Sequence, residues 1–240
     1  MLLGLERDFF LTGSYVDVHD EVRLSALLTF MQDVAGEHST LNGFSRTYCL
    51  GMNLVWIINR YHIIIERMPM YFEKIRIKTW VGKTSHVAFT RYFEVLAEDG
   101  TSLVKVASVW SVIEQTERKL IQPAKYGIVF ESSVTGSEIP QKAPVEHLEI
   151  TDSCKFTVPY SYIDQNGHMN NCRYMDLVDD VLCTDFEGRS RREIRIEYNN
   201  EIRRGEVINV EWGSREDGLV YIRGIGPEDK QIFKMNVQFE

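Results

Sequence analysis

A chain that nearly repeats itself halfway along is built from two copies of one module, and this sequence does so. The run Asp164-Gln165-Asn166-Gly167-His168-Met169-Asn170-Asn171 has an altered copy that begins at Asp17. With the two aspartates aligned, Phe9 falls on Phe156, Ser14 on Ser161, Tyr15 on Tyr162 and Val16 on Ile163. Past the aspartates the chemistry diverges. His19 stands where Asn166 stands, Glu21 where His168 stands and Leu24 where Asn171 stands. Polar side chains packed this densely are costly to bury unless paired, so the second run marks a site and not a core. The pattern is that of a tandem duplication in which only the second copy keeps its site.

The repeat continues into secondary structure. Leu24, Leu27, Leu28, Met31 and Ala35 follow the first motif, and Tyr174, Leu177, Val178, Val181 and Leu182 the second. Both sets have the three-and-four spacing of an amphipathic helix. Strands come next at equivalent places, 61–66 and 192–197, then 75–80 and 207–212, each of the latter ending in tryptophan. Further strands are expected at 90–96 and 103–113 in the first half and at 219–224 and 232–239 in the second. Period-two alternation gives such strands one buried face. A strand, one long helix and an antiparallel sheet per half predict an α+β layer arrangement.

Length and composition agree with two modules. A chain of 240 residues holds two domains of about 110–120 residues. The segment 122–149, with Pro123, Pro140 and Pro144, reads as a linker between an N-terminal module at 1–121 and a C-terminal module at 150–240. No apolar run approaches the roughly 18 residues that suggest a membrane span, and the start of the chain does not look like a signal peptide. Cys49, Cys154, Cys172 and Cys183 have no CxxC spacing, which suggests neither a zinc site nor a disulfide framework. A cytoplasmic location is therefore expected, with no membrane role. The net charge of −8 argues against general nucleic-acid binding.

The pattern Tyr162-x-Asp164-x-Asn166-x-His168-x-Asn170-Asn171-x-x-Tyr174, followed by Ile196-Glu197-Tyr198-x-x-Glu201, resembles the acyl-acyl carrier protein thioesterases of plant plastids and their bacterial relatives. The run from Glu21 to His38 is similar to that family's first-half signature. The resemblance implies a double hot-dog fold, each half a long helix wrapped by an antiparallel sheet. It also implies hydrolysis of fatty acyl thioesters, as part of fatty acid biosynthesis, with acyl carrier protein as the partner that delivers the acyl chain on phosphopantetheine. One departure matters. Plant members carry a cysteine after the glutamate that matches Glu201, and here Ile202 stands there, so no cysteine acyl-enzyme can form at that place.

The remaining residues are enough for the chemistry. Thioester hydrolysis needs an activated water and a stabilised oxyanion, while the thiolate leaves readily without a strong acid. Glu201 or His168 can serve as the base, and Asn166 can orient the water or the base. Asp164 is placed to hold one His168 tautomer or to cap the helix. Backbone N–H groups from Gly167 through Met169 to Asn170, at a helix start, suit an oxyanion, and Gly167 admits a close substrate. Asn170 and Asn171 are also good caps. Trp56 is a pocket-lining candidate, and Cys172 packs as a small hydrophobe. No metal or other cofactor is called for. His19, His38, His62, His86 and His147 read as structural or surface residues.

Acyl carrier proteins are acidic, so docking would need a local basic patch. Arg189, Arg191, Arg192, Arg203 and Arg204 flank the catalytic strand, and arginine suits phosphate and carboxylate. The alternative is a solvated surface balanced by Glu187, Glu193 and Glu206. An acyl-CoA thioesterase on the same scaffold, or a silent acyl-binding regulatory module, are the other functional readings. A dehydratase fits less well, since no second histidine motif occurs in the first half. Assembly as a homodimer stays open.

Overall fold

The computed structural model describes residues 1–140, 145–182 and 189–240. It divides into two compact units, one of Met1–Asn59 with Glu66–Gln141 and one of Arg60–Ile65 with Lys142–Glu240. A single strand, β2 (Leu54–Ile65), gives its first residues to the first unit and its last to the second.

In the first unit, β1 (Gly4–Phe10), β3 (Lys74–Thr84), β4 (Ala88–Ala97) and β5 (Ser102–Glu114) pair antiparallel in that order, with β2 next to β5. Helix α1 (Leu24–Leu41) buries Leu24, Leu27, Leu28, Met31, Val34 and Ala35, the stripe its spacing predicts. Phe30 of α1 stacks on Phe9 of β1 with centroids 4.6 Å apart. A short helix, α2 (Arg46–Gly51), follows, capped by the Ser45 hydroxyl, which accepts the Tyr48 N–H.

In the second unit the order runs from the end of β2 through β7 (Arg191–Tyr198), β10 (Gln231–Phe239), β9 (Leu219–Ile225) and β8 (Val207–Ser214) to β6 (Asp152–Thr157), every pair antiparallel. Helix α3 (Arg173–Leu182) buries Tyr174, Leu177, Val178 and Leu182. The Tyr174 ring meets Phe233 of β10 at 5.1 Å and Tyr198 of β7 at 5.3 Å. Within the segment expected as a linker, Ile128, Phe130, Ile139 and Val145 are buried, and Glu138 accepts the Trp80 indole N–H at 3.2 Å.

Duplication shows most directly in the backbone hydrogen bonds. Asp17 N–H donates to Glu21 O at 2.8 Å, as Asp164 N–H does to His168 O at 2.9 Å. Val22 N–H donates to Pro69 O as Met169 N–H does to Ile202 O, both at 2.9 Å. Arg23 N–H reaches Tyr15 O as Asn170 N–H reaches Tyr162 O, both at 2.8 Å. Phe72 and Gly205 occupy one turn position, donating to Leu11 O and Val158 O respectively, and both have positive φ, 66° and 79°. This register sets Met68 against Glu201 and Ile65 against Tyr198, so the first half lacks the glutamate as well as the histidine.

Candidate active site

The site begins with a turn. Asp164 Oδ1 accepts the Asn166 N–H at 2.7 Å, and Gly167 N–H donates back to Asp164 O at 3.0 Å. Gly167 closes the turn at φ +83° with open space where a Cβ would stand, a conformation that L side chains rarely adopt. Backbone conformation, not close approach of another group, is thus what calls for glycine here. The Asp164 carboxylate serves this turn and the Asn166 side chain, 3.5 Å from its Nδ2. It neither fixes the His168 tautomer nor caps α3, as the sequence had suggested. It shapes the loop that carries His168.

The turn presents His168 to Glu201, and the two side chains meet, His168 Nε2 to Glu201 Oε2, at 3.2 Å. Glu201 lies just past the end of β7, and the Met169 N–H to Ile202 O bond ties that strand end to the motif loop. The imidazole is 19% exposed and the carboxylate 40%, so the pair opens to solvent, as a water-activating group must. A carboxylate beside an imidazole can orient it or share its proton, giving one acid–base unit. Asn166 is exposed at the rim of the same turn.

Donors for an oxyanion are fewer than the sequence implied. The N–H groups of Gly167, Met169 and Asn170 go to Asp164 O, Ile202 O and Tyr162 O. Those of His168 and Asn171 make no hydrogen bond among the described residues. Asn171 lies two residues before α3 begins, at the approach to a helix end where unpaired donors and positive dipole coincide.

The peptide after Asn171 is held from both sides. Asn170 Oδ1 accepts the Cys172 N–H at 2.8 Å, and the Tyr198 hydroxyl donates to the Asn171 carbonyl at 2.9 Å. Burial, reinforced by Tyr61, Cys172 and Tyr174, keeps the Tyr198 phenol well above its usual range, so it acts only as a neutral hydrogen-bonding group. In the sequence Tyr198 stands within the Glu-Tyr-x-x-Glu pattern, where nothing local signals this bond. Cys172 is buried one residue before α3 begins. Ile202 is fully buried. Tyr174, buried near Glu201, is also held protonated, by burial first and that carboxylate second. Met169 is buried, and its side chain belongs to the core.

Trp56 belongs to the first unit. There it meets Phe89 and Phe130 with centroids at 5.2 and 6.3 Å in a cluster with Phe44, Leu54, Val81 and Val112. Its indole N–H is buried without an oxygen or nitrogen partner. Of the five arginines, Arg189 is exposed and the other four divide into two sets. Arg191 pairs with Asp179 at 2.6 Å and Arg192 with Glu240, while Glu193 instead takes His62 at 2.7 Å and Arg195 at 2.9 Å. Arg203 and Arg204 are exposed and form no ion pair among the described residues, and Arg204 lies over the exposed Tyr160 ring at 5.3 Å. Glu187 lies outside the described residues. Among the described residues no three His, Cys, Asp or Glu side chains gather as a metal would need.

Two family models cover nearly all of this architecture. The acyl-ACP thioesterase N-terminal domain matches residues 5–125, and the acyl-ACP thioesterase C-terminal domain matches residues 145–240. Among curated proteins, a chloroplastic acyl-[acyl-carrier-protein] hydrolase of Cuphea viscosissima is 26% identical over 86% of this chain and 54% of its own length. A chloroplastic dodecanoyl-[acyl-carrier-protein] hydrolase of Cinnamomum camphora is 24% identical over 91% of the chain and 62% of its own. The chain thus spans little more than half the length of the curated relatives it matches. Among solved structures, an acyl-ACP thioesterase from Bacteroides thetaiotaomicron superposes with a TM-score of 0.86 at 22% identity, covering 99% of this chain and 98% of that one. A 12:0-ACP thioesterase from Umbellularia californica gives 0.85 at 19%, covering 100% and 98%. Likeness at these identities is of fold, and the fold is the double hot-dog.

Proposed function

We propose that this chain, which belongs to the acyl-ACP thioesterase family, hydrolyses fatty acyl thioesters of acyl carrier protein, releasing free fatty acid and the carrier thiol. The observation that carries the proposal is the 3.2 Å approach of His168 to Glu201 on the turn set by Asp164 and Gly167. Water held by the pair, with Asn166 beside it, loses a proton as it attacks the carbonyl carbon. The developing oxyanion is met by the N–H groups of His168 and Asn171, and aimed donors of this kind are worth about 10²–10³ in rate. Collapse of the tetrahedral species expels a thiolate, a good leaving group that takes up the proton held by the pair. Neither Cys172, buried before α3, nor Ile202, which has no reactive atom, enters the sequence of steps.

In this reading the partner is acyl carrier protein, and the chain works in the cytoplasm within fatty acid biosynthesis. The first half, with Glu21 and Met68 at the positions of His168 and Glu201, contributes acyl-chain binding, Trp56 included. A homodimer is compatible with this assignment. The test is hydrolysis by the purified chain of carrier-bound and CoA-bound thioesters of graded acyl length. Release of acid from the carrier series with a defined length preference is expected. Preference for the CoA series would reassign the substrate, and silence on both with retained acyl binding would make this a binding module.

A further inference from the structure

The two halves of the chain contain the same turn, but only one of them clamps the peptide that follows it. In the first half, α1 begins directly at Leu24, its N-cap residue Arg23 makes no side-chain cap, and Leu27 N–H donates to Arg23 O in regular helical fashion. In the second half the equivalent start is delayed. Helix α3 begins at Arg173, whose N–H donates to Asn170 O, and Met175 N–H turns to Cys172 O. A regular helix started two residues earlier would have used Met175 N–H on Asn171 O. That carbonyl is taken instead by the Tyr198 hydroxyl at 2.9 Å, while Asn170 Oδ1 holds the next N–H, of Cys172, at 2.8 Å. The first half has Ile65 where Tyr198 stands and Arg23 where Asn170 stands, so it has neither clamp, yet its helix forms. Starting a helix after this turn therefore does not require them.

We infer that Tyr198 is a positioning residue for thioester hydrolysis: its hydroxyl holds the Asn171 carbonyl away from the helix and so fixes the turn that aims the Asn171 N–H. The inference rests on the thioesterase reading given above. Tyr198 sits three residues before Glu201 at the end of β7, and its ring is fixed edge-on to Tyr61 at 6.3 Å and Tyr174 at 5.3 Å. The strand that delivers the carboxylate thus also sets the donor. One rigid element registers both halves of the chemistry, and displacing a reacting group by about 1 Å can cost on the order of a hundredfold in rate.

The test is Tyr198→Phe, which keeps the ring and removes only the hydroxyl. The expected result on a carrier-bound thioester is a fall in kcat of about tenfold to a hundredfold. KM should stay within about twofold, the pH profile should keep its shape, and the melting temperature should change little. A role confined to packing would leave kcat intact in the folded fraction. Should Tyr198→Phe fail to fold, Asn170→Ala against Asn170→Ser reads the same peptide from its other side. The alanine should lose kcat, and the serine, which can still cap, should recover part of it. An active wild type with an unimpaired Tyr198→Phe, or with kcat, KM and melting temperature falling together, overturns the positioning role alone. An inactive wild type overturns the thioesterase reading and the positioning role with it.

Discussion

His168 Nε2 stands 3.2 Å from Glu201 Oε2, and the backbone bonds of the motif loop tie the two residues' segments together. The Asp164 turn sets the histidine, and the Met169 N–H to Ile202 O bond sets the glutamate. Residues that act as one unit lose activity non-additively when removed. His168→Ala and Glu201→Gln should each lower kcat by at least about a hundredfold, and the double variant should lose little beyond the worse single. Steady-state kinetics on one thioester decides this. Losses that multiply would show two independent contributions.

Water is the nucleophile in this account. Hydrolysis in ¹⁸O-labelled water should place label in the fatty acid, and mass spectrometry of the rapidly quenched enzyme should find the chain unmodified. Cys172→Ser should keep its turnover within a few-fold. An acyl adduct on Cys172 would contradict direct attack.

The arginines separate by their partners. Arg203 and Arg204, exposed two and three residues past Glu201, are the pair to test for contact with an acidic carrier. Their effect should be screened, because the Debye length is about 8 Å at physiological salt. Charge reversal at both should raise KM for the carrier-bound thioester and flatten its salt dependence, while a short thioester without the protein is turned over as before. Arg191→Glu should act differently. It faces Asp179, whose carboxyl burial already holds up at about 6, so the lost pair should appear as a lower melting temperature. Equal damage to both substrates by the Arg203 and Arg204 changes would remove them from docking.

His38 gives the fold a dependence on pH. Arg91 Nη1 can only donate, so His38 Nδ1, 3.1 Å away, accepts from it, and Nε2 carries the proton toward Leu2 O at 2.9 Å. Burial first and Arg91 second push this imidazole down to about 4, below the roughly 6.5 of an unfolded chain. The folded state therefore binds the proton less readily than the unfolded one. Stability from this group is complete above about 6.5 and is lost as pH falls toward 4. Urea midpoints between pH 7 and 4 should fall more steeply in the wild type than in His38→Gln. Parallel slopes would exclude His38 as a source.

Much of this was legible in the sequence because it is periodic or repeated. The buried stripe of α1 and the long strands follow from spacing, and the lack of a histidine in the first copy follows from Glu21 against His168. Other features were not, because they depend on which strands return to which loop. Nothing local to Asp164 says whether its carboxylate turns to its own backbone or to the imidazole. The apolar run Leu54–Ile58 has no period to separate it from a helix, so the early start of β2 was invisible. Isolated apolar residues in a proline-bearing stretch, Ile128, Phe130 and Ile139, gave no periodic sign of their burial. The clamp by Tyr198 needed both halves in view, since its meaning comes from Ile65 in the copy.

On the proposed reading, chemistry resides in the second half alone, and one paired measurement decides this. His168→Ala and Glu21→Ala occupy the same position of the duplicated turn, so kcat should be measured for both, beside the wild type, on one carrier-bound acyl thioester. His168→Ala should lose at least about a hundredfold, and Glu21→Ala should change within about threefold, well under the cost of a lost acid–base group. Equal losses in the two variants, or full activity in His168→Ala, would contradict it.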